Sequence, residues 1–151
     1  MEDANAQSCS EEMPTFIGVK IIKAIPQRCP SDRHLSKLGD PGYMVKYEDG
    51  STSWSPKEVF DAAYRKTDTM SFGLAIEAMK KGKRVARKGW NGKGIFCELQ
   101  TPDDNSKMSS PYIYIDTTGL QTDNPDAPKS LVPWLASQTD MLADDWQIIN
   151  Y

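Results

Sequence analysis

Hydrophobic and polar positions change their spacing several times along this chain, and each change marks an element. From Thr15 the run TFIGVKIIKAIP is rich in β-branched residues, and GYMVKYEDG alternates before turning at Asp49-Gly50, so two strands are predicted. STSWSPKEVFDAAYRK then shifts to helical spacing, with Val59, Phe60, Ala63 and Tyr64 on one face. Ser55 stands where an N-cap is needed, Pro56 where its missing N–H costs nothing, and Glu58 three residues after the cap, which together predict a capping box. Ahead of these elements, residues 1–12 are polar, acidic and without periodicity, and are expected to form a flexible leader. RKTDTM, residues 65–70, is the natural boundary.

The second half opens with Ser71 as predicted N-cap of a short amphipathic helix in which Phe72, Ala75, Ile76 and Met79 share a face, ended by Gly82. KRVAR, IFCELQ and YIYID read as strands, with KGWNGKG as the first turn, where Asn91-Gly92 suits a tight hairpin. Residues 117–133 read as a long exposed connection, WLASQTDMLADDW contains a helical turn, and WQIIN is a terminal strand. The expected class is α+β. A small β-β-α module over residues 13–66 precedes a unit over residues 69–151, in which a short helix packs on an antiparallel sheet.

Composition narrows the function classes. With 151 residues and 38% hydrophobic content the chain has room for one ordinary domain or two small ones. A net charge of −3 argues against a generally basic nucleic-acid coat. Cys9, Cys29 and Cys97 are odd in number and follow no ligand spacing, so neither a disulfide framework nor a zinc site is expected. No apolar run approaches the roughly 18 residues that span a bilayer, and the acidic N-terminus lacks the pattern of a secretory signal. A cytoplasmic protein is expected.

Candidate chemistry concentrates in the second unit. Lys80, Lys81, Lys83, Arg84, Arg87, Lys88 and Lys93 form an acid-free basic stretch, suited either to an anionic partner or simply to a solvated helix end and strand edge. Trp90, on a glycine-flanked turn, is either a core residue or a stacking surface for a base. Ser137, Gln138, Thr139 and Asp140 offer consecutive donors and acceptors, for a ligand or for the cap of the turn that follows. Catalytic groupings are poor. His34 is the only histidine and reads as a surface loop residue, while Asp103-Asp104 and Asp144-Asp145 read as solvated pairs. Gly89, Gly92 and Gly94 make GxxGxG, which is not a dinucleotide fingerprint. Binding without turnover is expected, with no catalytic residue, metal or cofactor.

SFGLAIEAMKKGKRVARKGWNGKGIFCEL followed by VPWLASQTDMLADDW resembles the Thoeris anti-defence family of the second type, a phage-encoded group, over about residues 69–151. Residues 14–66 resemble a separate small phage module that supplies no activity. The family resemblance implies a non-enzymatic sponge in the cytoplasm of the infected bacterial host. It would sequester the cyclic ADP-ribose-type signal of the Thoeris TIR enzyme, and in some members cyclic di- or trinucleotide signals of CBASS defence. It further implies a homo-oligomer, typically a tetramer, with ligand pockets shared between protomers. On that reading Trp90 stacks on adenine, Asn91 bonds ribose or phosphate, and Arg87 or Lys88 neutralises pyrophosphate. Ser137, Gln138, Thr139 and Asp140 read sugar hydroxyls, and Trp134 walls the pocket. The alternative is a nucleic-acid or host-protein binder that uses the basic stretch 80–93.

Overall fold

The computed structural model describes residues 15–16, 18–30 and 38–150, so the expected leader and the loop around His34 lie outside the described residues. The N-terminal unit is an antiparallel sheet of β1 (Lys23–Arg28), β2 (Pro41–Lys46) and β3 (Thr52–Pro56) in sequential order, followed by α1 (Lys57–Ala63). The order is thus β-β-β-α instead of the expected β-β-α, and two further expectations change. The first strand begins at Lys23 rather than Thr15, and Ser55 pairs with Tyr43 inside β3 instead of capping the helix. Pro56 takes the cap position, and no side chain bonds to the helix start. The β2 ladder accounts for the change: residues 52–56 satisfy its second edge, and a serine held in that ladder is not placed to turn its hydroxyl onto the helix. Trp54 secures the third strand by lying on Gly42, where any Cβ would strike the indole, and by donating Nε1–H to the carbonyl of Gln27 at 2.9 Å. Pro26 is tolerated because β1 is an edge strand.

In the second unit, α2 (Phe72–Lys80) starts as predicted, Ser71 Oγ accepting from Leu74 N–H at 3.4 Å. It ends in a Schellman arrangement: Gly82 has φ 74°, its N–H donates to Met79 O at 2.9 Å, and Lys83 N–H donates to Ala78 O at 3.1 Å. The sheet that follows contains β4 (Arg84–Arg87), β5 (Phe96–Gln100), β6 (Tyr112–Asp116), β7 (Leu131–Pro133) and, after α3 (Gln138–Met141), β8 (Trp146–Ile149). Its antiparallel order is β7-β6-β5-β4-β8, so the last strand returns to lie beside the first. β7 falls within the stretch expected to be a plain connection; Val132 pairs with Ile115 and Leu131 with Asp116. The α+β expectation holds.

The core follows from register. Val85, Cys97 and Ile115 align across neighbouring strands, and Ala75, Ala78 and Met79 of α2 cover them, with Trp146 fully buried at the end of the cluster. Burial pushes the Cys97 thiol up to about 12, making it a packing residue rather than a nucleophile. Residues 67–70 extend the sheet beyond β8: Met70 and Trp146 exchange backbone hydrogen bonds of 2.8 and 3.1 Å, and Ile148 N–H donates to Thr67 O at 2.8 Å. The predicted boundary is therefore partly built into the second unit's sheet.

Candidate functional site

Arg87 and Trp146 are cross-strand partners at one end of β4 and β8, and this register brings the two tryptophan-rich motifs together. Trp146 is the hub. Its ring centroid lies 5.4 Å from Trp90, 6.0 Å from Trp134 and 5.3 Å from Phe72, and Trp90 and Trp134 meet edge-on at 5.9 Å. Each such pair contributes about 0.5–1.5 kcal/mol beyond burial of area. Trp146 Nε1–H donates to the carbonyl of Asp140 at 2.9 Å, which fixes α3 over the cluster.

Asp140 ties the motifs electrostatically. Its Oδ1 accepts from Arg87 Nη1–H at 2.9 Å and from Trp90 Nε1–H at 3.2 Å, while its Oδ2 accepts from the backbone N–H and the hydroxyl of Ser137. Ser137 Oγ in turn accepts from Asp140 N–H at 3.1 Å, so the pair forms the capping box of α3. Burial would raise the Asp140 carboxyl, but the bonds from Ser137, Arg87 and Trp90 outweigh it and hold it at about 2. Arg87 also donates from Nε to Asp145 Oδ1 at 2.8 Å, and Asp145 Oδ2 accepts from Gly89 N–H at 2.8 Å. These two carboxylates raise the Arg87 pKa, the bond to Asp145 being the largest cause, and Arg87 in turn lowers Asp145.

Asp145 is the residue that sequence reasoning missed, having been read with Asp144 as a solvated pair. Its signal was Gly89: a Cβ there would come within 2.7 Å of Asp145 Oδ2. The turn expected at Asn91-Gly92 is also corrected. No non-glycine described residue has positive φ, so a type I′ turn with Asn91 in that region does not form. The positive φ belongs to Gly94, at 79°, where any side chain would collide with the backbone carbonyl of Gly119. Residues 88–95 therefore fold as a loop laid against residues 117–121, with Gln121 N–H donating to Lys93 O at 2.9 Å.

The expected site residues divide into two groups. Arg87, Trp90, Trp134, Ser137 and Asp140 meet in the cluster, where Arg87 and Asp140 spend their charges on each other and on Asp145. Lys88, Asn91, Gln138 and Thr139 are exposed residues of the loop and α3 that flank it. Lys88 lies 3.3 Å from Asp68, whereas Lys93 Nζ donates to the carbonyls of Lys88 and Trp90 and has no carboxylate partner among the described residues. Elsewhere in the basic stretch, Lys80 pairs with Glu77 at 2.8 Å and Arg84 with Glu98 at 3.5 Å. Among the described residues no three His, Cys, Asp or Glu side chains gather as metal ligands, and no helix is long and apolar enough to cross a membrane.

Residues 70–149 match the model of a family described as the Thoeris anti-defense 2-like domain. A protein named Thoeris anti-defense 2, of Bacillus phage SP01, is 39% identical over 85 residues, which cover 54% of this chain and 96% of that relative. The matched region holds the whole aromatic and carboxylate cluster, while the three-stranded unit lies outside it. The chain belongs to the Thoeris anti-defense 2-like family.

Proposed function

We propose that this member of the Thoeris anti-defense 2-like family counters phage defence by binding a cyclic ADP-ribose-type signal and holding it intact, without acting as an enzyme. The observation that carries the reading is the joining of Trp90, Trp134 and Asp140 from two distant motifs into one rigid corner, with Asn91, Gln138 and Thr139 exposed beside it. Slow release favours such a preorganised aromatic surface with many hydrogen-bond partners over a mobile one. The adenine ring stacks at Trp90 or Trp134, and Asn91, Gln138 and Thr139 bond the sugar hydroxyls. Because Arg87 is neutralised by Asp140 and Asp145 and Lys88 is engaged by Asp68, the pyrophosphate is met by Lys93. Cyclic di- or trinucleotides share these groups and are candidate ligands of the same corner.

Leu131, Val132, Leu135 and Leu142, in the segments that carry Trp134 and α3, are exposed, and such uncovered apolar side chains support assembly of copies into a homo-oligomer, a tetramer on the family pattern, with the pocket closed between protomers. The pairing of Lys80, Arg84, Arg87 and Lys88 within the chain favours signal binding over a nucleic-acid or host-protein interface at residues 80–93.

The test is to incubate the full chain with cyclic ADP-ribose isomers, remove free ligand, denature by heat and analyse what is released. Intact ligand is expected; a cleaved product or no depletion overturns the reading. Gln138→Ala combined with Thr139→Ala touches only exposed side chains, so loss of uptake with an unchanged unfolding curve is expected, and retained uptake moves the site elsewhere.

A further inference from the structure

Between the N-terminal sheet and α2 lies a cleft of about 830 Å³, lined by none of the residues of the tryptophan corner. Its floor comes from the family domain through Leu74, Ala78 and Ile148, and its opposite wall from the unit that lies outside the family match. That wall is an aromatic ladder: Tyr43 stacks on Phe60 with centroids 4.2 Å apart, and Phe60 meets Tyr64 at 4.9 Å. All three rings are half-buried, so the ladder ends in a face that is partly open to the cleft.

Charge at the cleft is one-sided. Lys20, Arg65, Lys66 and Lys81 line it; Lys20 lies 5.5 Å from the centre of the Tyr47 ring and helps to lower the Asp49 pKa, whereas Arg65, Lys66 and Lys81 form no ion pair among the described residues, and Arg65 donates only to the carbonyls of Asp61 and Tyr64. The two acids present are already matched, Asp61 by Lys57 and Asp68 by Lys88. A flat ring continues an aromatic ladder at the same stacking distance, and three unmatched cations around an apolar floor call for an anionic group on that ring. The volume falls in the range of pockets that hold small molecules.

We infer that this cleft is a second ligand site, created by the N-terminal unit on the family domain, for a small nucleotide whose base stacks on Tyr64 and whose phosphates face Lys66 and Lys81. The site is independent of the corner proposed above. Its probe is a fluorescent N-methylanthraniloyl ADP, titrated into the full chain and read by anisotropy. Saturable binding is expected, displaced by unlabelled ADP and weakened about tenfold or more by Lys66→Glu with Lys81→Glu, both exposed positions whose reversal leaves the core untouched. Uptake of cyclic ADP-ribose by that double variant is expected to be unchanged. Tyr64→Leu weakens binding while leaving far-ultraviolet circular dichroism as in the parent. Absence of binding, failure of ADP to displace the probe, or indifference to the double charge reversal overturns the site. Displacement by inorganic pyrophosphate as strong as by ADP overturns the stacking of a base.

Discussion

The two units use the same devices to different effect. Each has an antiparallel sheet, a short helix and a tryptophan whose indole N–H donates to a backbone carbonyl at 2.9 Å, Trp54 to Gln27 and Trp146 to Asp140. In the family domain the tryptophan is completely buried among Met79, Val85 and Cys97. Among the described residues of the N-terminal unit Val45 is the largest fully buried side chain, α1 buries none of its residues, and Val59 of the predicted apolar face is exposed. An antiparallel backbone ladder pairs polar groups in both, but apolar burial supplies most of the net stability, at roughly 25 cal/mol per Å². The N-terminal unit therefore has the smaller store of apolar burial to stabilise it.

Trp146→Ala should break this comparison most severely, removing the hub of the larger core at a cost of about 3–5 kcal/mol; denaturant unfolding followed by tryptophan fluorescence measures it. Asp140→Asn comes next. It keeps shape but takes one of two counter-charges from Arg87 and weakens the capping box, for an expected loss of about 2–3 kcal/mol. The carboxyl sits at about 2 in the folded chain against an ordinary 3.8, so its contribution is complete above about pH 4 and disappears as pH falls towards 2. Asp145, also lowered, acts in the same sense. The parent's urea midpoint should accordingly drop between about pH 4 and pH 2, and the Asp140→Asn variant should show a shallower fall. Val45→Ala should have the smallest effect, about 1–2 kcal/mol, read as faster amide exchange across β1–β3 with β4 and β8 unchanged. Equal acceleration in both sheets would mean that the units unfold as one.

Local signals carried far in the family domain. Ser71 and Gly82 delimit α2 because cap chemistry acts within a turn, and the alternation of KRVAR, IFCELQ, YIYID and WQIIN placed four strands. β7 escaped because Leu131–Pro133 is three residues long, all exposed, and paired only with an edge already formed by β6. Ser55 misled because a serine before proline reads as a cap until a neighbouring strand claims its backbone. The candidate residues of the site were legible as residue types, but their connections were not. Asp145 is 58 positions from Arg87, and nothing within a window of sequence links them.

The sequence by itself determined the α+β class, the start and end of α2, and the two tryptophan motifs that mark family membership, since all of these rest on short-range periodicity, capping or motif identity. Tertiary structure alone decided which charges remain available. By laying β8 against β4, it set Asp140 and Asp145 on Arg87, fixed Trp90 edge-on to Trp134, and left Lys93 without a carboxylate partner among the described residues. Hydrogen bonds and ion pairs act over a few ångströms in space, and only the pairing of the sheet's last strand beside its first brings those residues within that range.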